Sequence, residues 1–278
     1  MIFIVLAPAY RRGGLGVVAL DLDYELVVER VVDFLRGVVD GSGRGGVVVG
    51  LSGGLDSSVV AALSVKALGR ERVHGLIMPD RRVTPREDIE DAVELAKLLG
   101  IRYRMVEIDR IYDSFAASMP FYSEAANTPN ANLRARIRMI ILYYYANLNN
   151  LLVCGTSDKS EILLGYFTKY GDGGVDILPI GDLYKTQVRE LARRIGLPAR
   201  IVEKPSSPRL LPGQTAEGEL GASYEEIDQI LYLHFEQGLR PEEIEEKTGI
   251  ERRKIDLVIE RVHANKHKRR MPPIAKIK

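Results

Sequence analysis

Residues 47–63, VVVGLSGGLDSSVVAAL, hold the densest group of residues that could do chemistry. Two adjacent glycines (Gly53, Gly54), three hydroxyls (Ser52, Ser57, Ser58) and one carboxylate (Asp56) lie between a β-branched run and a small-residue helical pattern. Strand, glycine loop and helix in that order bring backbone N–H groups and the positive end of a helix around one small volume, which attracts phosphate. An ordinary strand-to-helix turn needs one glycine for a positive φ. A second glycine followed by Asp56, Ser57 and Ser58 exceeds that need, so the loop is expected to bind a phosphate group. It lacks the Gly-Lys-Ser/Thr ending of a Walker A sequence and the Gly-x-Gly-x-x-Gly spacing of a dinucleotide fold.

The surrounding periodicity says what positions the loop. Apolar residues recur at three- and four-residue spacing over 24–40, predicting an amphipathic helix. The wholly apolar run 47–52 suits a strand buried on both faces of a parallel sheet. Helices are then expected over 56–69 and 85–100, with strands at 72–79 and 103–108. A long helix over 130–150, a strand at 151–156, a glycine-rich loop at 165–183 and a helix at 185–196 follow. The Pro-, Gly- and Ser-rich stretch 203–219 reads as a mobile loop. Ser223 and Glu226 form a capping box opening a helix over 224–238, and the chain ends helical, then basic. This alternation predicts an α/β fold: a doubly wound, mostly parallel sheet flanked by helices, with a helical C-terminal addition.

Composition limits the function classes. The 278 residues carry 39 basic and 38 acidic side chains, so bulk charge predicts neither a nucleic-acid nor a membrane partner. The single cysteine, Cys154, rules out an intrachain disulfide and a Cys-rich zinc site, in keeping with a reducing cytosol and a cytoplasmic protein. The apolar run Ile2–Ala7 precedes Arg11 and Arg12, the reverse of a signal peptide's order, and is shorter than a membrane span. Residues 1–21 therefore read as a leader or edge strand without an assigned role, 22–273 as a single domain and 274–278 as a tail.

SGGLDSS resembles the PP-loop of the N-type ATP pyrophosphatases, enzymes that cleave ATP between its α and β phosphates. Further motifs stand in order along the chain: NLRARIR at 132–138, the run from Cys154 to Val188, PSSPRLLPGQTAEGELGASYEEID at 205–228, and HKRRMPP at 267–273. Together they resemble the NAD synthetase family in its ammonia-dependent form, over roughly Leu22–Pro273. The chain departs from that pattern at Ala216, where the family usually carries aspartate, and at Asp158, where asparagine is common.

The resemblance implies an adenine nucleotide alpha hydrolase-like fold and ATP-dependent amidation of deamido-NAD by ammonia, through an adenylated nicotinate carboxylate. It places ATP on Gly50, Leu51, Ser52, Gly53, Gly54, Leu55, Asp56, Ser57, Thr156, Lys185 and Ser207. Deamido-NAD falls to Arg136, Lys169, Asp176, His267 and Lys268, Mg²⁺ to Asp56 and Glu161, and catalysis to Asp56 and Lys185. The residue types agree: charge developing on a leaving pyrophosphate needs fixed N–H donors, lysine and Mg²⁺, and carboxylates are the hard oxygen ligands Mg²⁺ prefers. A lysine at a helix start, as Lys185 is expected to be, calls for a nearby anion, here expected to be phosphate. Arg134, Arg136 and Arg138 alternate and cannot all face one way.

Cys154 ends a predicted strand and reads as a small buried residue rather than a glutaminase nucleophile. Free ammonia is the expected nitrogen source, with a separate glutaminase as a possible partner. The helix through Ile137, Ile140, Ile141, Tyr144, Tyr145 and Leu148 is apolar on more than one side, compatible with burial or with the homodimer the resemblance implies. Three other readings compete. One is a PP-loop tRNA-modifying enzyme, opposed by the lack of paired cysteines and of a broad basic surface. Another is a DNA-binding helix pair at 240–262, opposed by Glu242, Glu243, Glu245 and Glu246. The third is a non-catalytic nucleotide-binding module, for which Glu161 and Lys185 are unnecessary.

Overall fold

The computed structural model describes residues 20–207, 209–210 and 215–277; the run Ile2–Ala7 lies outside them. Four parallel strands, β1 (Gly46–Gly50), β2 (Val73–Ile77), β3 (Arg102–Met105) and β4 (Leu151–Cys154), form a sheet of order β3-β2-β1-β4. Val48 of β1 stands opposite His74 on one side and Val153 on the other. Chain order reverses at β1, so the crevice beyond the carboxyl ends of β1 and β4 is a topological switch point, where ligands of open α/β sheets bind. SGGLDSS leaves β1 there, and Thr156 follows β4.

The first helices are α1 (Tyr24–Gly41), α2 (Leu55–Leu68), α3 (Arg86–Leu98), α4 (Asp109–Ser118) and α5 (Asn127–Asn149). Then come α6 (Lys159–Leu164), α7 (Lys185–Arg194), α8 (Ala199–Val202), α9 (Ala216–Leu220), α10 (Tyr224–Leu231), α11 (Pro241–Thr248) and α12 (Arg252–Ala264). A strand's side chains alternate between faces, and β1 uses both. Val47 and Val49 pack with Leu35, Leu63 and Leu191 from α1, α2 and α7. Val48 packs with Tyr112, Ile137 and Ala146 from α4 and α5. A third apolar cluster joins α9–α12 to Leu164 and Tyr184 and forms the expected helical addition.

Local signals act as read from the sequence: the Ser223 hydroxyl accepts from Glu226 N, and Glu226 answers by accepting from Ser223 N. The periodicity missed α4 and α6. The stretch 203–219 is not loop throughout, because the Thr215 side chain caps α9 within it. The helix pair α11–α12 buries Ile244, Ile255, Val258 and Val262 against the third cluster, and Glu242 and Glu243 pair with Arg252 and Arg240. That pair is packing. Among the described residues no helix is long and apolar enough to cross a membrane.

Three residues beyond β2, Asp80 fastens the sheet to α5. It is completely buried and accepts from Arg82 Nε at 2.8 Å and Arg134 Nε at 2.7 Å, while both guanidinium groups lie over the Tyr112 ring. Burial raises its carboxyl, but the bonds from Arg82 and Arg134 outweigh this and hold its pKa at about 2, below the ordinary 3.8. A depressed carboxylate stabilises the fold above its unfolded pKa and loses that contribution as pH falls through the folded one. Stability should therefore drop as pH falls from 3.8 through about 2. In Asp80→Asn this acid limb shrinks and stability near neutral pH falls by roughly 2 kcal/mol or more, readable by urea titration at several pH values.

Candidate active site

The loop after β1 is set by its own hydroxyls. Ser52 Oγ lies 3.0 Å from Ser57 Oγ and accepts from Gly54 N, while Ser57 and Ser58 both donate to Gly54 O. Gly54 offers α2 no side-chain cap, so the first turn of α2 faces the crevice without a protein acceptor of that kind. Gly53 has φ +73°, and a Cβ there would lie 2.1 Å from the backbone oxygen of Asp88. Lys204 Nζ fixes the same peptide from the other side, donating to Gly53 O at 2.9 Å and to Asp88 Oδ1 at 2.8 Å.

Beside the loop lies a cavity of about 280 Å³. Its wall includes Ser52, Gly54 and Asp56 from the loop and α2, Thr156 and Glu161 from the β4 side, and Ser207 beyond α8. Gly50, Leu51 and Leu55 also face it, whereas Gly53 and Ser57 sit behind, shaping the turn. Sequence reasoning missed Met78, Arg138 and Lys204 on the same wall. Arg138 Nε donates to Met78 O at 2.8 Å, and burial pulls its pKa down to about 10, leaving it cationic at neutral pH. Residues four apart share a helix face, so Arg134 and Arg138 point inward and Arg136 is turned out.

Lys185 does not line the cavity. Its side chain is completely buried, and its ammonium meets Asp56 Oδ2 at 2.7 Å, Asp158 Oδ2 at 2.8 Å and Glu161 Oε1 at 2.9 Å. Lys185 does open a helix, as expected, but the anions beside it are three protein carboxylates. Burial pulls its pKa down, yet Asp158, Asp56 and Glu161 together raise it well above the ordinary value. Burial likewise raises the carboxyls of Asp158 and Glu161, and Lys185 offsets part of that rise. Asp158 also caps α6, accepting from Glu161 N at 2.8 Å, so the departure at this position builds the cluster rather than decorating it. Ala216, the other departure, is buried in the cavity wall at the start of α9.

Oxygens of Asp56, Asp158 and Glu161 all lie within 4.8 Å of one another, and Asp56 Oδ1 is buried without a hydrogen-bond partner. Three carboxyl groups share one ammonium, and the donors are all hard oxygens. This set fits Mg²⁺. Asp56 and Glu161 face the cavity and Asp158 stands behind them.

Four of the other expected site residues form a separate patch. Arg136 donates to Lys169 O, Lys169 Nζ to His267 O, and Lys268 Nζ to the carbonyls of Gly165 and Phe167. Asp176 accepts from Tyr143 OH at 3.0 Å and Val153 N at 2.7 Å. None of the five lines the cavity. Within HKRR, Arg269 donates to Leu163 O and Val262 O at the ends of α6 and α12. Cys154 is buried and burial pushes its thiol up to about 12, which excludes a thiolate nucleophile at neutral pH.

The loop geometry predicts that Gly53→Ala destabilises the protein by about 1–3 kcal/mol, from positive φ and a backbone collision. Gly54→Ala, where a Cβ would meet the Ser52 hydroxyl at 3.2 Å, should cost distinctly less. Chemical denaturation of the two variants checks the difference.

The model of the NAD synthase family matches residues 27–272. The NH(3)-dependent NAD(+) synthetase of Hyperthermus butylicus is 55% identical over 255 residues, 91% of each chain. Among solved structures, NMN synthetase from Francisella tularensis superposes with a TM-score of 0.82 at 33% identity, over 92% of this chain and 100% of that one. NH3-dependent NAD synthetase from Campylobacter jejuni, in complex with nitrate, superposes at 0.78 and 34%, with the same coverage. With the glycine loop, the acidic cluster and the switch-point cavity arranged as described, the chain belongs to the NAD synthase family.

Proposed function

We propose that this protein is an ammonia-dependent NAD synthetase, which converts the nicotinate carboxylate of deamido-NAD to the amide of NAD at the expense of ATP. Beyond family membership, one observation carries the reading: the glycine loop and the pair Asp56–Glu161 open onto one cavity at the switch point of the sheet. A carboxylate is a poor electrophile. Its oxygen attacks the α-phosphorus of ATP as the bond to pyrophosphate breaks; ammonia then attacks the acyl carbon, AMP leaves, and a proton is lost from the nitrogen.

In this scheme the loop N–H groups and the α2 N-terminus receive the β and γ phosphates, prearranged where charge develops. Thr156 and Ser207 bound the nucleotide, and Arg138 adds a cation on the same wall. Asp56 and Glu161 would hold Mg²⁺, which supplies charge stabilisation on the phosphates. Lys185 keeps those two carboxylates apart and oriented. With Cys154 buried and protonated, nitrogen comes from free ammonia, supplied directly or by a separate glutaminase, and the reaction is assigned to the cytosol.

Deamido-NAD is assigned to Arg136, Lys169, Asp176, His267 and Lys268. Beside Arg136 on α5, Ile140, Tyr144 and Leu148 form an exposed stripe at four-residue spacing, with 52%, 73% and 72% of their surface open. A helix face of that kind favours a homodimer built on α5. Light scattering should give twice the 31.0 kDa of one chain, and Tyr144→Glu should halve it.

The decisive assay mixes protein, deamido-NAD, ATP and Mg²⁺ with ammonium or with glutamine. NAD and pyrophosphate are expected in equal amounts with ammonium alone. NMN formed from nicotinate mononucleotide, with deamido-NAD untouched, would assign instead the activity for which the Francisella protein is named. Pyrophosphate without NAD would move the acceptor elsewhere. In Asp56→Asn and Glu161→Gln, turnover should fall about 100-fold or more, the equivalent of several kcal/mol of lost charge stabilisation, with circular dichroism unchanged.

A further inference from the structure

Behind the acidic cluster lies a second carboxylate layer that the reaction scheme does not use. Asp228, on α10, is completely buried. Its Oδ1 accepts from Ser160 Oγ at 2.5 Å, and its Oδ2 accepts from both the backbone N and Oγ1 of Thr186 at 2.8 Å. Ser160 Oγ in turn accepts from Lys185 N at 2.9 Å. Lys185 and Thr186 are the first two residues of α7, whose N–H groups have no acceptor within their own helix. Both end on the Asp228–Ser160 pair.

A helix cap would need only the bond to Thr186. The added bond to Ser160 does something else: Ser160 precedes Glu161 on α6 and holds the backbone of Lys185. One carboxylate from the C-terminal helical unit thus fixes α6 and α7 together, the two elements that supply Glu161 and Lys185. We propose that Asp228 is a positioning residue for the cation-binding pair Asp56 and Glu161, acting through Ser160 and Lys185. The inference rests on reading that pair as the Mg²⁺ ligands.

The test uses Mn²⁺ as the probe, with the full chain and neither nucleotide nor deamido-NAD, and reads free Mn²⁺ by electron paramagnetic resonance. Groups that orient metal ligands from behind typically contribute about 10–100-fold in metal affinity. Asp228→Asn, close in shape but without the charge, and Ser160→Ala should each weaken Mn²⁺ binding by about that factor. The double variant should be no weaker than the worse single one, because both act along one path. Mn²⁺ affinity within about twofold of wild type in both variants overturns the proposal even if their melting temperatures fall, since Asp228 would then be structural only. Additive losses overturn the shared path. If Asp228→Asn does not fold, Ser160→Ala carries the test by itself. Asp56→Asn is the control that must lose Mn²⁺; wild-type protein that takes up none overturns the metal reading and this inference with it.

Discussion

The ammonium of Lys185, completely buried among three carboxylates, is the constraint on which the site depends. Removing charges from water is costly, and an interior ion cluster persists only when its geometry compensates. Here the compensation is incomplete by design of the count: one cation faces Asp56, Asp158 and Glu161. Asp158 and Glu161 feel the shortfall as carboxyls raised by burial, and Lys185 as an ammonium held well above its ordinary pKa. The Tyr224 ring, 5.3 Å from Nζ, adds a face suited to a cation but no negative charge.

Much of the fold exists to hold this cluster together. Asp56 comes from α2 behind β1, Asp158 and Glu161 from α6 behind β4, and Lys185 from α7. The β1–β4 pairing brings the first two elements side by side, and α7 packs onto α2 through Val188 and Leu191 in the main core. Lys204 ties Gly53 to α3, so the glycine turn is gripped through its carbonyl. Asp80 plays the corresponding part on the other face of the sheet, holding α5 so that Arg138 reaches the cavity.

The patch around Arg136, Lys169, His267 and Lys268 is built differently. Its members are bound mainly to backbone carbonyls, and it joins α5, the loop after α6 and the turn after α12. Burial lowers the Lys268 pKa, and among the described residues Asp172 is the carboxylate that acts against that stronger pull.

The loop SGGLDSS, the capping box at Ser223, the strand–helix alternation and the buried Cys154 were legible in the sequence because each is a local pattern. Glycine spacing, cap chemistry and periodicity act within a few residues, and tertiary contacts did not override them. The helices α4 and α6 were not legible, since α4 buries only Tyr112 and α6 spans six residues, so neither repeats an apolar face. Arg134, Arg136 and Arg138 could be sorted into two faces from spacing, but which face met the cavity was set by the seat of α5 on the sheet. Lys185 read as a phosphate ligand through the family resemblance, and its position at a helix start agreed with an anion nearby. That the anions were Asp56, Asp158 and Glu161 depended on bringing together positions up to 129 residues apart. Local chemistry in the chain determined the loop and the class of ligand it suits. Only the tertiary structure decided which charges share one buried volume, because Coulomb energy depends on distance through space and on burial, neither of which is written along the chain.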